Sequence, residues 1–98
     1  MIVRIVKLSF HAAYISDFKT IFEENKGKII SQKGCNQLEM LEDINEVNIF
    51  FTYSWWDSED DLNNYRNSEL FKDVWSKTKI LFNKKPEAWS TKKINEVL

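Results

Sequence analysis

Asn48-Ile49-Phe50-Phe51-Thr52-Tyr53-Ser54-Trp55-Trp56-Asp57-Ser58-Glu59 is the stretch on which the reading of the chain turns. From Val47 to Trp56, β-branched and aromatic residues dominate, which predicts a strand. A strand with one face on a core and one in water alternates apolar with polar residues. This one does not. One face carries Ile49, Phe51, Tyr53 and Trp55, and the other Phe50, Thr52, Ser54 and Trp56. Immediately afterwards, Ser58 with Asp61 three residues on resembles a capping box, with Asp in place of the preferred Glu or Gln, and predicts a helix start.

Working upstream, Cys35 to Glu42 alternates and reads as a second strand, and the polar turn Asp43-Ile44-Asn45-Glu46 joins the two into an antiparallel hairpin. Before it, from about Ala13, the spacing becomes helical. Ile15, Phe18, Ile21, Phe22 and Ile29 share a face opposite Asp17, Lys19, Glu23, Glu24 and Lys26, and Gly34 is the expected stop. The opening residues 2–10 read as a strand. Downstream, the short helix carrying Leu62 and Tyr65 is followed by a second cap at Asn67-Ser68. A further helix places Phe71, Val74, Trp75, Thr78, Leu81 and Phe82 on one face, Pro86 prevents its continuation, and Ala88–Ile94 reads as the last strand. The order β-α-β-β-α-α-β predicts an α+β fold of ferredoxin-like type, a four-stranded antiparallel sheet with helices on one face, within a single domain spanning residues 1–98.

The helices cover one face of the sheet only. The first strand also carries apolar residues on both sides, so the uncovered face would be an apolar patch of a kind soluble monomers rarely show. Two-fold pairing with a second copy would bury it symmetrically. The 14 aromatic residues, four of them Trp, are also more than the thin core of 98 residues readily absorbs. The excess either lines a pocket or meets a partner.

Composition narrows the function. Fourteen basic against 15 acidic residues leave no basic stripe for nucleic acid. No apolar run approaches the ~20 residues of a membrane span, and the charged residues inside the opening segment make it a strand rather than a signal peptide. A lone Cys35 allows no internal disulfide and fits a reducing compartment, so a cytoplasmic location is expected. There is no Gly-rich phosphate loop and no His/Cys spacing suited to a metal, and a single His precludes a Ser-His-Asp set.

Ile2-Val3-Arg4-Ile5-Val6-Lys7, Gly34-Cys35, the Asn48–Glu59 stretch and Asn67-Ser68-Glu69-Leu70-Phe71 together resemble the antibiotic biosynthesis monooxygenase (ABM) family over nearly the whole chain. The resemblance implies a dimeric α+β barrel, in which two ferredoxin-like sheets face each other. It also implies a range of activities: cofactor-free oxidation of quinols or polyketide-type phenols, heme degradation, or no known reaction. By the same resemblance, heme-degrading relatives place an iron-ligating His where Trp75 stands and an Asn where Val6 stands. Indole cannot replace that ligand, so no cofactor is expected.

A cofactor-independent quinol or phenol monooxygenase needs a dry cavity, an aromatic clamp and one or two polar groups. The expected pocket lies between sheet and helices, walled by Phe22, Trp56, Leu62, Tyr65, Phe71 and Trp75, with His11 or Tyr65 as the polar group acting on an aromatic small molecule. Each has a plainer alternative. Trp56 could be core, His11 a surface residue, and Tyr65 a packing residue with a wet tip. Asn64 and Arg66 are expected to face solvent. The rival function is a non-catalytic small-molecule-binding or interaction module on the same dimeric scaffold.

Overall fold

The computed structural model describes residues 1–97. The two strands that are apolar on both faces occupy the middle of the sheet. Strand β1 (Ile2–Ser9) lies between β3 (Ile49–Trp56) and β4 (Glu87–Lys92), and β2 (Cys35–Glu42) flanks β3 on the outside. All neighbours are antiparallel, in the order β2-β3-β1-β4. The more polar strands thus take the edges, where unpaired backbone groups meet water.

Helix α1 (Ile15–Ile30) connects β1 to β2, and the pair α2 (Glu59–Arg66) and α3 (Glu69–Lys79) connects β3 to β4. Both crossovers bring their helices to the same face, giving the predicted α+β architecture of ferredoxin-like type. The two helical caps read from the sequence are formed. Ser58 Oγ accepts from the Asp61 amide at 3.1 Å, and Ser68 Oγ accepts from the Phe71 amide at 3.2 Å. The Ser68 hydroxyl also donates to the Tyr65 carbonyl at 2.6 Å, so one serine both stops α2 and starts α3.

Several boundaries differ from the sequence expectation. Phe10 lies past the end of β1 and forms an isolated bridge with Phe82. Val47 belongs to the turn before β3 and is 70% exposed. Leu81 and Phe82 follow α3 rather than extending it, since the helix closes at Lys79. The last strand runs Glu87–Lys92 rather than to Ile94. Gly34 does not stop α1, which ends four residues earlier. It adopts φ +83° in the turn into β2, where its carbonyl accepts from the Asp57 amide at 2.8 Å. That conformation suits glycine.

Large rings are not spread evenly beneath the helices. Leu8, Phe10, Phe18, Phe50 and Leu81 form a closed cluster at one end, with Phe10 stacked on Phe18 at 4.2 Å. At the other end Trp56 and Leu62 are fully buried. The inward face of β3 therefore reads large, small, small, large: Phe50, Thr52, Ser54, Trp56. Opposite these four, β1 presents Leu8, Val6, Arg4 and Ile2. The other sheet face is apolar as the sequence indicates. Val3 pairs with Trp55, and Ile5 lies between Tyr53 and Trp89. No helix among the described residues is long and apolar enough to cross a membrane.

Candidate functional site

Between the two packed ends, Thr52 and Ser54 are too short to reach the helices, and a cavity of about 370 Å³ remains above them. Drug-sized ligands occupy pockets of roughly 300–1,000 Å³, so this is a ligand-sized space. The sheet supplies its floor through Arg4, Val6, Leu38, Thr52, Ser54 and Ala88. Helix α1 contributes Phe18, Ile21, Phe22 and Ile29, and α2 contributes Leu62, Tyr65 and Arg66. Phe71, Val74, Trp75 and Thr78 from α3 complete the wall, one helical turn apart on a single face.

Five of the six expected wall residues meet here: Phe22, Leu62, Tyr65, Phe71 and Trp75. Trp56 does not. It is 0% exposed and stacks behind Tyr65 at 5.2 Å, 21° from parallel. From Tyr65 the rings continue along the wall. Tyr65 meets Phe71 edge-on at 5.3 Å, and Phe71 stacks on Trp75 at 5.8 Å, 9° from parallel. Trp56 is thus the buttress of an aromatic wall. Its Nε1 donates to Ser54 Oγ at 2.9 Å, which leaves the Ser54 hydroxyl proton available for donation into the cavity.

His11 lies outside the cavity, exposed in the turn after β1, with its ring edge-on to Tyr14 at 5.8 Å. Tyr65 lies inside it. Burial pushes the Tyr65 phenol up to about 12, and neighbouring Cys35 pushes it the same way, so the hydroxyl stays protonated near neutral pH and acts as a donor. Burial also raises the Cys35 thiol.

The polar groups that the sequence reading missed are two arginines. Arg66 does not simply face solvent: it ends α2, and its side chain also lines the cavity. Arg4 reaches the cavity from β1 and donates through Nη1 to Ser90 Oγ at 2.9 Å. Burial lowers the Arg4 guanidinium from its ordinary value, and the positive charge of Arg66 lowers it further. The strand pattern held a signal for Arg4, a charged residue between apolar neighbours on a central strand. Arg66 carried none, because a basic residue in the last turn of a helix is ordinary.

The profile of the antibiotic biosynthesis monooxygenase family matches residues 1–76, which carry β1 through most of α3 and nearly all of the cavity wall. The chain belongs to this family. The ABM fold extends over the described chain in solved structures. A conserved protein from Methanosarcina mazei Go1 superposes with a TM-score of 0.89 at 17% identity, covering 95% of this chain and 93% of the other. A Nitrosomonas europaea protein, described as a candidate antibiotic biosynthesis monooxygenase, gives 0.89 at 15% identity over 97% and 100%. Rv0793 of Mycobacterium tuberculosis gives 0.90 at 11% identity over 99% and 98%. Identities this low establish the ABM fold and not a shared reaction. No curated protein sequence matches the chain.

The cavity residues do not fit heme. The lining has no His, Cys or Met, and its one residue of iron-ligating type, Tyr65, is held protonated. Trp75 and Val6 both line the cavity, and neither side chain offers an iron ligand.

Proposed function

We propose that this ABM protein is a cofactor-independent monooxygenase for quinols or related phenols. The observation that supports this reading is the partly open cavity above Thr52 and Ser54, walled by aromatic rings of which Phe71 and Trp75 lie parallel, and carrying only a few hydrogen-bonding groups. An apolar cavity of about 150 Å³ already holds a benzene ring, so the 370 Å³ here has room for a fused ring system with substituents.

In this reading Phe71, Trp75 and Phe22 clamp the ring, while Tyr65 and Ser54 donate hydrogen bonds to its oxygens. The positive field of Arg4 and Arg66 favours the ionised quinol, so water takes the proton without a side-chain base. The quinolate then reduces oxygen directly. The O–O bond breaks; one oxygen atom replaces a ring hydrogen, so a C–H bond is lost as the C–O bond forms, and the other oxygen leaves as water, with two electrons from oxidising that ring carbon and two from converting quinol to quinone. The proposed assembly is a pair of chains meeting through the outer sheet face of Val3, Ile5, Phe51, Tyr53, Trp55 and Trp89, within a single domain of residues 1–98.

The experiment is oxygen uptake with a panel of naphtho- and benzoquinols, comparing the wild type with Thr52→Leu, in which the longer side chain fills the cavity. Uptake above the non-enzymatic background in the wild type, lost in a folded Thr52→Leu, is the expected result. Background rates in both overturn the oxygenase reading. A non-catalytic binding module is favoured by one observation: neither His11, outside the cavity, nor Tyr65, pushed to about 12, supplies a base near neutral pH. Ring binding without uptake would select it.

A further inference from the structure

Arg4 and Arg66 reach one cavity from two layers of the fold, the first from the sheet and the second from the end of α2. No Asp or Glu lines that cavity. Among the described residues neither arginine is ion-paired with a carboxylate, and Arg4 has a single side-chain hydrogen bond, to Ser90. A guanidinium carries five N–H donors. Arg4 is partly buried and feels the positive charge of Arg66, which is exposed while lining the same cavity, so two like charges face one space with no anion between them. An anion between them removes the repulsion and accepts charge-assisted hydrogen bonds from both guanidiniums.

We propose that the natural ligand is an aromatic carboxylate: a flat ring system whose carboxylate is held by Arg4 and Arg66 while its rings lie along Phe71 and Trp75. The planar fork of arginine matches a carboxylate through paired hydrogen bonds. The wall opposite is apolar, so the cavity has a charged end and a greasy end, which suits a ring acid better than a small inorganic anion. This deepens the oxygenase reading by naming its substrate class, and it rests on that reading only for the quinol or phenol oxygens on the ring.

Binding is measured by calorimetry with naphthoate and with naphthylmethanol, the neutral alcohol of the same ring. Neither is a quinol, so turnover does not enter. The wild type is expected to bind naphthoate at least tenfold more tightly. Arg66→Gln and Arg4→Gln should each reduce the preference to under about threefold, and Arg66→Lys should retain part of it. Arg66 ends an exposed helical turn, so its variants keep the fold even if Arg4→Gln does not. Equal affinity for acid and alcohol, an undiminished preference in Arg66→Gln, or no binding of either ring overturns the proposal. Tight naphthoate binding with no oxygen uptake from quinols refutes the oxygenase and leaves the anion site standing. Quinol turnover with no preference for the acid does the reverse.

Discussion

Replacing Trp56 with Phe separates a buttress from a binding wall. The Trp56 ring is fully buried, stacks on Tyr65 at 5.2 Å and donates from Nε1 to Ser54 at 2.9 Å. Phe keeps one ring and loses the donor. Losing the hydrogen bond costs about 0.5–1.5 kcal/mol. The unfilled space adds about 1 kcal/mol or more, as any void of methyl size does in a core. The sum, about 1.5–2.5 kcal/mol or more, corresponds to a fall in Tm of roughly 6–20 °C for a domain of this size. Because Tyr65 stands between Trp56 and the cavity, naphthoate affinity measured below the transition should change by less than about threefold, under 1 kcal/mol. Thermal unfolding by circular dichroism gives the first quantity and calorimetry the second. An unchanged Tm together with a tenfold loss of affinity would refute the argument, because Trp56 would then contact the ligand.

The Tyr65 phenol is pushed from 10.0 to about 12 by burial, so the folded chain holds this proton more tightly than the unfolded chain. Its contribution is intact below pH 10 and is lost as pH rises from 10 through 12. Urea midpoints measured across that range should fall less steeply in Tyr65→Phe, and an identical slope would sink the assignment. Gly34→Ala places a methyl group on the Asp61 carboxylate at a positive φ, so it should destabilise by at least about 1–2 kcal/mol, read from the denaturant midpoint. Asp61→Ala in the same chain should recover only part of the steric cost, because the Asp61 Cβ that Ala retains itself lies 2.6 Å from the added carbon. On the outer face, Trp55→Lys sets a charge in the proposed two-fold contact. Sedimentation at micromolar concentration should show a dimer for the wild type and a monomer for a folded variant, and monomers in both would overturn the assembly.

The sequence by itself determined the layer structure of this protein. The change in hydrophobic period from strand to helix, the two serine caps and the two central strands apolar on both faces were all local signals, and each reports backbone geometry within a few residues. The same local pattern picked out five cavity residues, Phe22, Leu62, Tyr65, Phe71 and Trp75, because residues on one helical face must meet whatever lies beneath them. It could not say which large ring lines a space and which merely fills one. Trp56 and Trp75 look alike in sequence, yet one is 0% exposed behind Tyr65 and the other faces the cavity. That distinction depends on where Thr52 and Ser54 fall in register against Val6 and Arg4, a pairing of strands more than 40 residues apart. Tertiary structure alone also placed Arg66 beside Arg4 and His11 outside the site. Juxtaposition across layers is set by how helices pack on the sheet, and no spacing along the chain records it.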